Sequence, residues 1–337
     1  MEKVLISRTD RIGDVVLTLP LAGYLKTRFP EIEIGFVCQR YTAPVVHACK
    51  HVDHVHCWDE IESPQWWKGR VLFQNYDTIL HVFPSLPIAV GALLAKVKHR
   101  VGTSRRWFHW LFCNHRIPFS RRFSNLHEAQ LNFFLLHSLL EKRIPSLEEI
   151  PHYYGLQPKT PLPEWVESIF QDHRFRIILH PGSKGSAPEW GIPNYKSLVR
   201  LLPSDRFQIF VTGTEEEGKR FRPHFPFDNE KVIDMTGKLD LAHLLTFIDR
   251  CDALVSGSTG PLHLAAALGK VAIGLFVPRR PVHPGRWGPV GAKVYALVYN
   301  PNCPNCLQGK PCDCIQKIPP TQVANLIQTV LGEKAMT

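Results

Sequence analysis

Short apolar runs alternate with longer amphipathic stretches along most of this chain. Residues 4–8 read as a strand, a turn follows at Thr9-Asp10-Arg11-Ile12-Gly13, and a helix is expected over 14–28. Further strands are expected at 33–38, 78–82 and 100–102, and a Leu- and Phe-rich helix over 126–140. Strands alternating with helical stretches are the signature of a parallel sheet covered on both faces.

The pattern breaks at 154–163, where Pro158, Pro161 and Pro163 lie close together and read as a linker. It then restarts, with strands expected at 176–180, 208–212, 232–235, 253–256 and 271–277 and a closing helix over 321–331. Two α/β domains of similar size are therefore expected, residues 1–158 and 159–337. Each is read as Rossmann-like with a parallel sheet, and the two as facing a cleft. No internal repeat is strong enough to claim duplication.

The longest nearly apolar stretch, 82–95, carries Pro84 and Pro87 and is too short to span a bilayer. It reads as a strand end plus a buried helix. No N-terminal segment has the length and flanks of a signal peptide. With 44% hydrophobic and 21% charged residues the 337-residue chain is expected to be globular and cytoplasmic, and its nine cysteines reduced.

The net charge of +10 is shared equally by residues 1–150 and the remainder, so the asymmetry lies within each half. Residues 96–122 hold eight Lys/Arg and no acid, together with Trp107, Phe108, Trp110 and Phe112. A basic, aromatic surface suits an anionic partner. A membrane surface or phosphorylated glycolipid is one, nucleic acid another, and a solvated basic face over buried aromatics is the plain alternative. No nucleic-acid-binding module is legible, so that partner is not expected.

Three segments carry candidate chemistry. In Leu5-Ile6-Ser7-Arg8-Thr9-Asp10-Arg11-Ile12-Gly13-Asp14-Val15-Val16, Gly13 permits a tight strand-to-helix turn and Asp14 falls at or near the helix start. Open α/β sheets place ligands at the carboxyl ends of their strands, so this carboxylate is a candidate general base. N-capping is the alternative, and a helix N-terminus would lower its pKa. In His180-Pro181-Gly182-Ser183-Lys184-Gly185-Ser186, small residues let amides approach an anion and Lys184 supplies a charge suited to phosphate. An ordinary glycine-rich loop is the alternative. The third, Ser256-Gly257-Ser258-Thr259-Gly260-Pro261-Leu262-His263, runs from a strand into an alanine-rich helix whose free N–H groups suit a diphosphate. His263 adds a donor there or is simply packed.

No Gly-x-Gly-x-x-Gly follows an expected strand, which removes the main support for a dinucleotide oxidoreductase. His51, His54 and His56 are explained by alternate positions on a solvated strand. Cys303, Cys306, Cys312 and Cys314 could hold zinc, although the Cys-x-Cys half departs from usual knuckle spacing. Reduced thiols and a disulfide are the alternatives.

Taken together, Arg8-Thr9-Asp10-Arg11-Ile12-Gly13-Asp14 followed by Leu17-Thr18-Leu19-Pro20, the His180-Pro181-Gly182 loop, and the segment from Ser258 to Ala267 resemble the ADP-heptose:lipopolysaccharide heptosyltransferases. Trp287-Gly288-Pro289 and the late cysteines are also similar. The likeness covers nearly the whole chain in order and spacing. It implies a GT-B fold, an N-terminal domain for the acceptor, a C-terminal domain for the nucleotide-sugar, and a last helix that packs back on the first domain. It further implies inversion without a metal ion or other cofactor, at the inner membrane surface, on an anionic glycolipid acceptor. Asp14 matches the proposed base, with Arg11, Arg105 and Arg106 expected near the acceptor. Ser183, Lys184, Ser258, Thr259, Gly260 and His263 are expected on the donor, and Glu216, among Glu215–Glu217, at its ribose. Two departures stand out: Pro188-Glu189-Trp190 where relatives carry a basic residue before the tryptophan, and Ser258 where many carry Asp. Lys184, Arg279, Arg280 or Arg286 could replace the missing cation. A different nucleotide-sugar donor, or a protein that only binds one, therefore stays open beside ADP-heptose.

Overall fold

The computed structural model describes residues 1–59, 65–121, 124–171 and 173–335. The chain divides into two compact units, Met1–Gln157 and Pro158–Thr337.

In the first unit the elements are β1 (Lys3–Ser7), α1 (Ile12–Val16), α2 (Pro20–Arg28), β2 (Glu33–Cys38), α3 (Ala43–His47), β3 (His54–Cys57), α4 (Gln65–Phe73), β4 (Thr78–His81), α5 (Leu86–Leu94), β5 (His99–Thr103), α6 (Trp107–Phe112), β6 (His115–Ile117) and α7 (Glu128–Phe133). The strands form one parallel sheet in the order β3-β2-β1-β4-β5-β6. Val4, Leu5 and Ile6 are fully buried, as a central parallel strand covered on both faces requires.

Several sequence expectations are refined here. The helix expected over 14–28 is two helices, because Pro20 has no N–H with which to continue the first. The helix expected over 126–140 is α-helical only to Phe133 and continues as a 3₁₀ turn, Phe134–Ser138. In the apolar stretch 82–95, α5 buries one face, while Leu86, Leu93 and Leu94 stay exposed. His54 and His56 do lie on edge strand β3, but His51 precedes it. The proline-rich stretch begins inside the first unit: Tyr154 is buried there and Leu156 bridges Cys49.

The second unit contains α8 (Glu164–Glu167), β7 (Phe175–His180), α9 (Ile192–Leu201), β8 (Phe207–Val211), α10 (Glu215–Phe221), β9 (Val232–Asp234), α11 (Leu241–Arg250), β10 (Ala253–Gly257), α12 (Gly260–Ala267), β11 (Val271–Phe276), α13 (Pro284–Trp287), β12 (Val294–Val298), α14 (Pro304–Leu307) and α15 (Pro320–Ala335). Its parallel sheet runs β12-β11-β10-β7-β8-β9, so the order reverses between β7 and β10. Helix α15 buries Val323, Ala324, Ile327 and Val330, one helical stripe, in this unit's own core, against α9.

Candidate functional site

In the first unit, β1 ends at Ser7 and the chain turns through Arg8–Arg11 into α1. Arg11 is the N-cap residue, with extended backbone and an exposed side chain. Asp14 is therefore inside the first turn and is not the cap. Its carboxylate accepts from Arg8 Nη2 instead. Arg8 is 4% exposed and also donates to Asp10 at 2.7 Å and Glu128 at 3.4 Å. Glu128, at the start of α7, accepts from Arg121 Nε at 2.8 Å. Arg121 reaches Asn132 at 3.0 Å, Asn132 reaches Thr18 Oγ1 at 3.3 Å, and Thr18 Oγ1 donates to the Asp14 carbonyl at 2.8 Å. A closed ring of polar contacts thus fixes Asp14 from both sides.

Burial raises the Asp14 pKa, Arg8 pulls it down and Glu128 raises it, and the net direction is upward. Asp10 is raised to about 6, by burial against the pull of Arg8. The sequence expectation of a lowered Asp14 is corrected: desolvation and a neighbouring carboxylate outweigh the helix terminus. A base whose affinity for a proton lies nearer neutrality is better matched to general-base chemistry. At 16% side-chain exposure Asp14 remains reachable by a hydroxyl.

Arg105 and Arg106 follow β5 and are exposed, at the same carboxyl edge of the sheet as Asp14. Trp107 and Trp110 on α6 are 69% and 59% exposed, and Leu111 66%. The reading of these tryptophans as buried is overturned. Within the basic run, Arg121 serves the polar ring, Arg100 is tied to the Phe112 and Val97 carbonyls, and Arg122 lies outside the described residues. Sequence reasoning assigned no role to Arg8, Glu128 or Asn132, and it counted Arg121 with the basic run expected to engage the acceptor or membrane, whereas its guanidinium holds Glu128 and Asn132. An arginine closing an apolar strand and the Glu128/Asn132 spacing of one helical turn were the available signals.

In the second unit, the loops after β7 and β10 meet where the strand order reverses, the position at which open α/β sheets bind ligands. A Cβ on Gly257 would come within 3.3 Å of the Pro188 carbonyl, so the two loops are in close approach. Lys184 is exposed with φ 46°, beside Gly185 at φ 74°. Ser183 is buried; its hydroxyl lies 2.8 Å from the Ala187 carbonyl, and its N–H donates to Glu189 Oε1 at 3.1 Å. Arg220 donates to the same oxygen at 2.9 Å. Glu189 thus occupies an amide that could otherwise meet a phosphate.

Thr259 is the N-cap residue of α12, its hydroxyl 3.0 Å from that of Ser256; Gly260 and Pro261 open the helix, Ser258 is partly exposed, and His263 is buried in the first turn. Arg279, Arg280 and Arg286 follow β11, the strand beside β10. Glu216 is exposed on α10. Its neighbour Glu217 is buried, closes a capping box with Thr214, and would overlap a Cβ at Gly182. Glu217 Oε1 is buried beneath Gly182 without a hydrogen-bond partner among the described residues.

Two Rossmann-like units of this kind make the GT-B architecture. A family model described as glycosyltransferase family 9 (heptosyltransferase) matches residues 68–315, and the chain belongs to that family. A Haemophilus influenzae protein whose glycosyltransferase assignment is itself provisional is 27% identical over 303 residues, 86% of each chain. The lipooligosaccharide heptosyltransferase 2 of the same organism is 22% identical over 300 residues, 82% of this chain and 84% of that one. The structure of the Escherichia coli ADP-heptose lipopolysaccharide heptosyltransferase II superposes with a TM-score of 0.74 at 18% identity, covering 99% of this chain and 100% of that one. The fold is shared with it. No described helix is long and apolar enough to cross a membrane.

Proposed function

We propose that this glycosyltransferase inverts the anomeric centre and moves heptose from ADP-heptose onto a lipopolysaccharide core or related lipid-linked saccharide, without a metal ion. The observation that carries the reading is Asp14, accessible, raised in pKa and clamped by Arg8 at the carboxyl end of β1. Asp14 takes the proton of an acceptor hydroxyl as its oxygen attacks the anomeric carbon. The bond to the nucleoside diphosphate breaks in the same step, and negative charge grows on the departing diphosphate. The free N–H groups at the start of α12, with Lys184, stabilise that charge. Glu216, exposed on α10, is the carboxylate proposed at the ribose.

The acceptor side rests on Arg11, Arg105 and Arg106, with Trp107 and Trp110 as amphipathic anchors at a lipid headgroup surface. This surface supports peripheral contact with the inner membrane face. The test is product mass after incubation with ADP-heptose or a panel of other nucleotide-sugars and a lipid-linked acceptor, with and without EDTA. Heptose transfer that persists in chelator is expected; loss in EDTA with rescue by magnesium or manganese would sink the metal-free mechanism.

A different nucleotide-sugar donor is the second reading. It is favoured by Glu189, whose carboxylate sits on the Ser183 amide in the loop proposed to meet the donor phosphates. Transfer from another donor in the same assay would establish it.

A further inference from the structure

Four cysteines of the second unit take no part in the chemistry above. The sulfurs of Cys303, Cys306, Cys312 and Cys314 all lie within 4.8 Å of one another. Cys303 and Cys312 are 3.5 Å apart, Cys312 and Cys314 3.0 Å. Four sulfurs each about 2.3 Å from one tetrahedral ion are separated by about 3.8 Å. The observed separations bracket that value. They exceed the S–S bond length of about 2.04 Å, and all nine cysteines are free thiols.

The backbone brings the sulfurs together in two pairs. Cys303 precedes α14, and the Leu307 N–H donates to its carbonyl at 3.0 Å. This helical turn sets Cys303 and Cys306 on one side. Gly309, at φ 73°, then reverses the chain, with its N–H on the Cys306 carbonyl and that of Lys310 on Asn305. The return carries Cys312 and Cys314 to the first pair. Packing alone does not require this. Free cysteine behaves as a small apolar side chain, and three of the four are buried in the unit's core, but the partly exposed Cys312 converges on the same point.

We propose that these four thiolates hold a single thiophilic metal ion, zinc or iron, in a closed tetrahedral site. Four sulfur–metal bonds form and the thiol protons leave to solvent. With all four positions filled by the chain, the ion has no place for substrate, and its role is structural. What it fastens is visible. The segment after Cys314 presents the Ile318 carbonyl to the Trp190 indole N–H at 2.9 Å and the Gln316 carbonyl to Asn194 at 2.7 Å. Trp190 closes the loop that contains Ser183 and Glu189.

The test uses the full chain, free of affinity tag, purified without chelator from medium supplied with both zinc and iron. One metal ion per chain is expected, and elemental analysis tells which metal the site retains when both are offered. Cys306→Ser and Cys314→Ser should each lose most of the metal, while Cys38→Ser keeps it. Wild-type protein loaded with cobalt alone should show the intense visible bands of a tetrahedral tetrathiolate, a readout independent of whether the variants fold. Stripping the metal should lower the melting temperature. A metal-free wild type that refuses cobalt, metal that survives both serine substitutions, or an intact mass showing these thiols paired as disulfides would overturn the site. An unchanged melting temperature after complete stripping would overturn its fastening role.

Discussion

The guanidinium of Arg8 donates to the carboxylate of Asp14 while also facing Asp10 and Glu128. One buried cation therefore serves three carboxylates, and Arg121 supplies a second cation from the far side of Glu128. This arrangement orients Asp14 without stripping it of proton affinity.

Replacing Asp14 by Asn preserves shape and removes the base. Turnover should fall on the order of 100- to 10,000-fold, with nucleotide affinity nearly unchanged. Normal turnover in Asp14→Asn would refute the assignment.

Glu128→Gln should move the acid limb of the kcat/KM profile to lower pH. The Glu128 charge raises the Asp14 pKa, so its removal lets Asp14 stay ionised, and active as a base, in more acidic solution. Arg8→Met works differently, since it leaves buried carboxylates unpaired, and should cost about 3–5 kcal/mol of stability in chemical denaturation. An unshifted acid limb in a folded Glu128→Gln would disconnect Glu128 from Asp14.

Two histidines make stability depend on pH. Burial lowers His81 to about 3 and His180 to about 4. The unfolded chain protonates them near 6.5, so between that value and the folded pKa it binds more protons and stability falls as pH falls. Each pKa unit corresponds to about 1.4 kcal/mol. Asp10, raised to about 6, acts in the opposite sense within the same window, stabilising the fold at low pH and losing that contribution as pH rises. The difference between variants isolates the histidine: His81→Gln should flatten the decline of the urea midpoint between about pH 6.5 and 4. An identical slope would show that His81 is not held neutral.

Arg105→Ser, Arg106→Ser, Trp107→Ser and Trp110→Ser together should weaken co-sedimentation with anionic vesicles and leave nucleotide binding intact. The arginine share of the effect should shrink as salt is raised, because exposed charges are screened. Arg121 is excluded from this set because its guanidinium holds Glu128 and Asn132. Lost nucleotide affinity with normal vesicle binding would contradict the assignment of this surface to the acceptor.

Restoring the two departures, Glu189→Lys with Ser258→Asp, should shift donor preference toward ADP-heptose in a competition assay. Each new charge-assisted contact is worth roughly 1.5–3 kcal/mol. Glu189→Lys also frees the Ser183 amide and Arg220. A wild type that already strongly prefers ADP-heptose, with no gain in the double variant, would show that neither departure governs donor choice.

The central strands were legible because burial on both faces writes an unbroken apolar run, as at Val4, Leu5 and Ile6. Edge strands β6 and β12 were not, because most of their residues remain partly exposed and carry no such run. The site was legible where glycine, proline and hydroxyl residues cluster after a strand, as at Ser258-Thr259-Gly260-Pro261. Arg8 and Glu128 are 120 positions apart, and nothing local in either announces the other. The upward direction of the Asp14 pKa is set first by burial, with Glu128 adding to it, and both depend on tertiary packing. A local rule about helix ends therefore pointed the wrong way.

Glu189 already occupies the Ser183 amide. If a donor phosphate takes that amide, arrival is an exchange of one anion for another, with Arg220 retaining a partner only if Glu189 stays near. Departure of the nucleoside diphosphate is then assisted by an internal carboxylate returning to its seat. The loop would trade residence time of the product for speed of release, and the nucleotide off-rate, more than its affinity, would carry the mark of this residue.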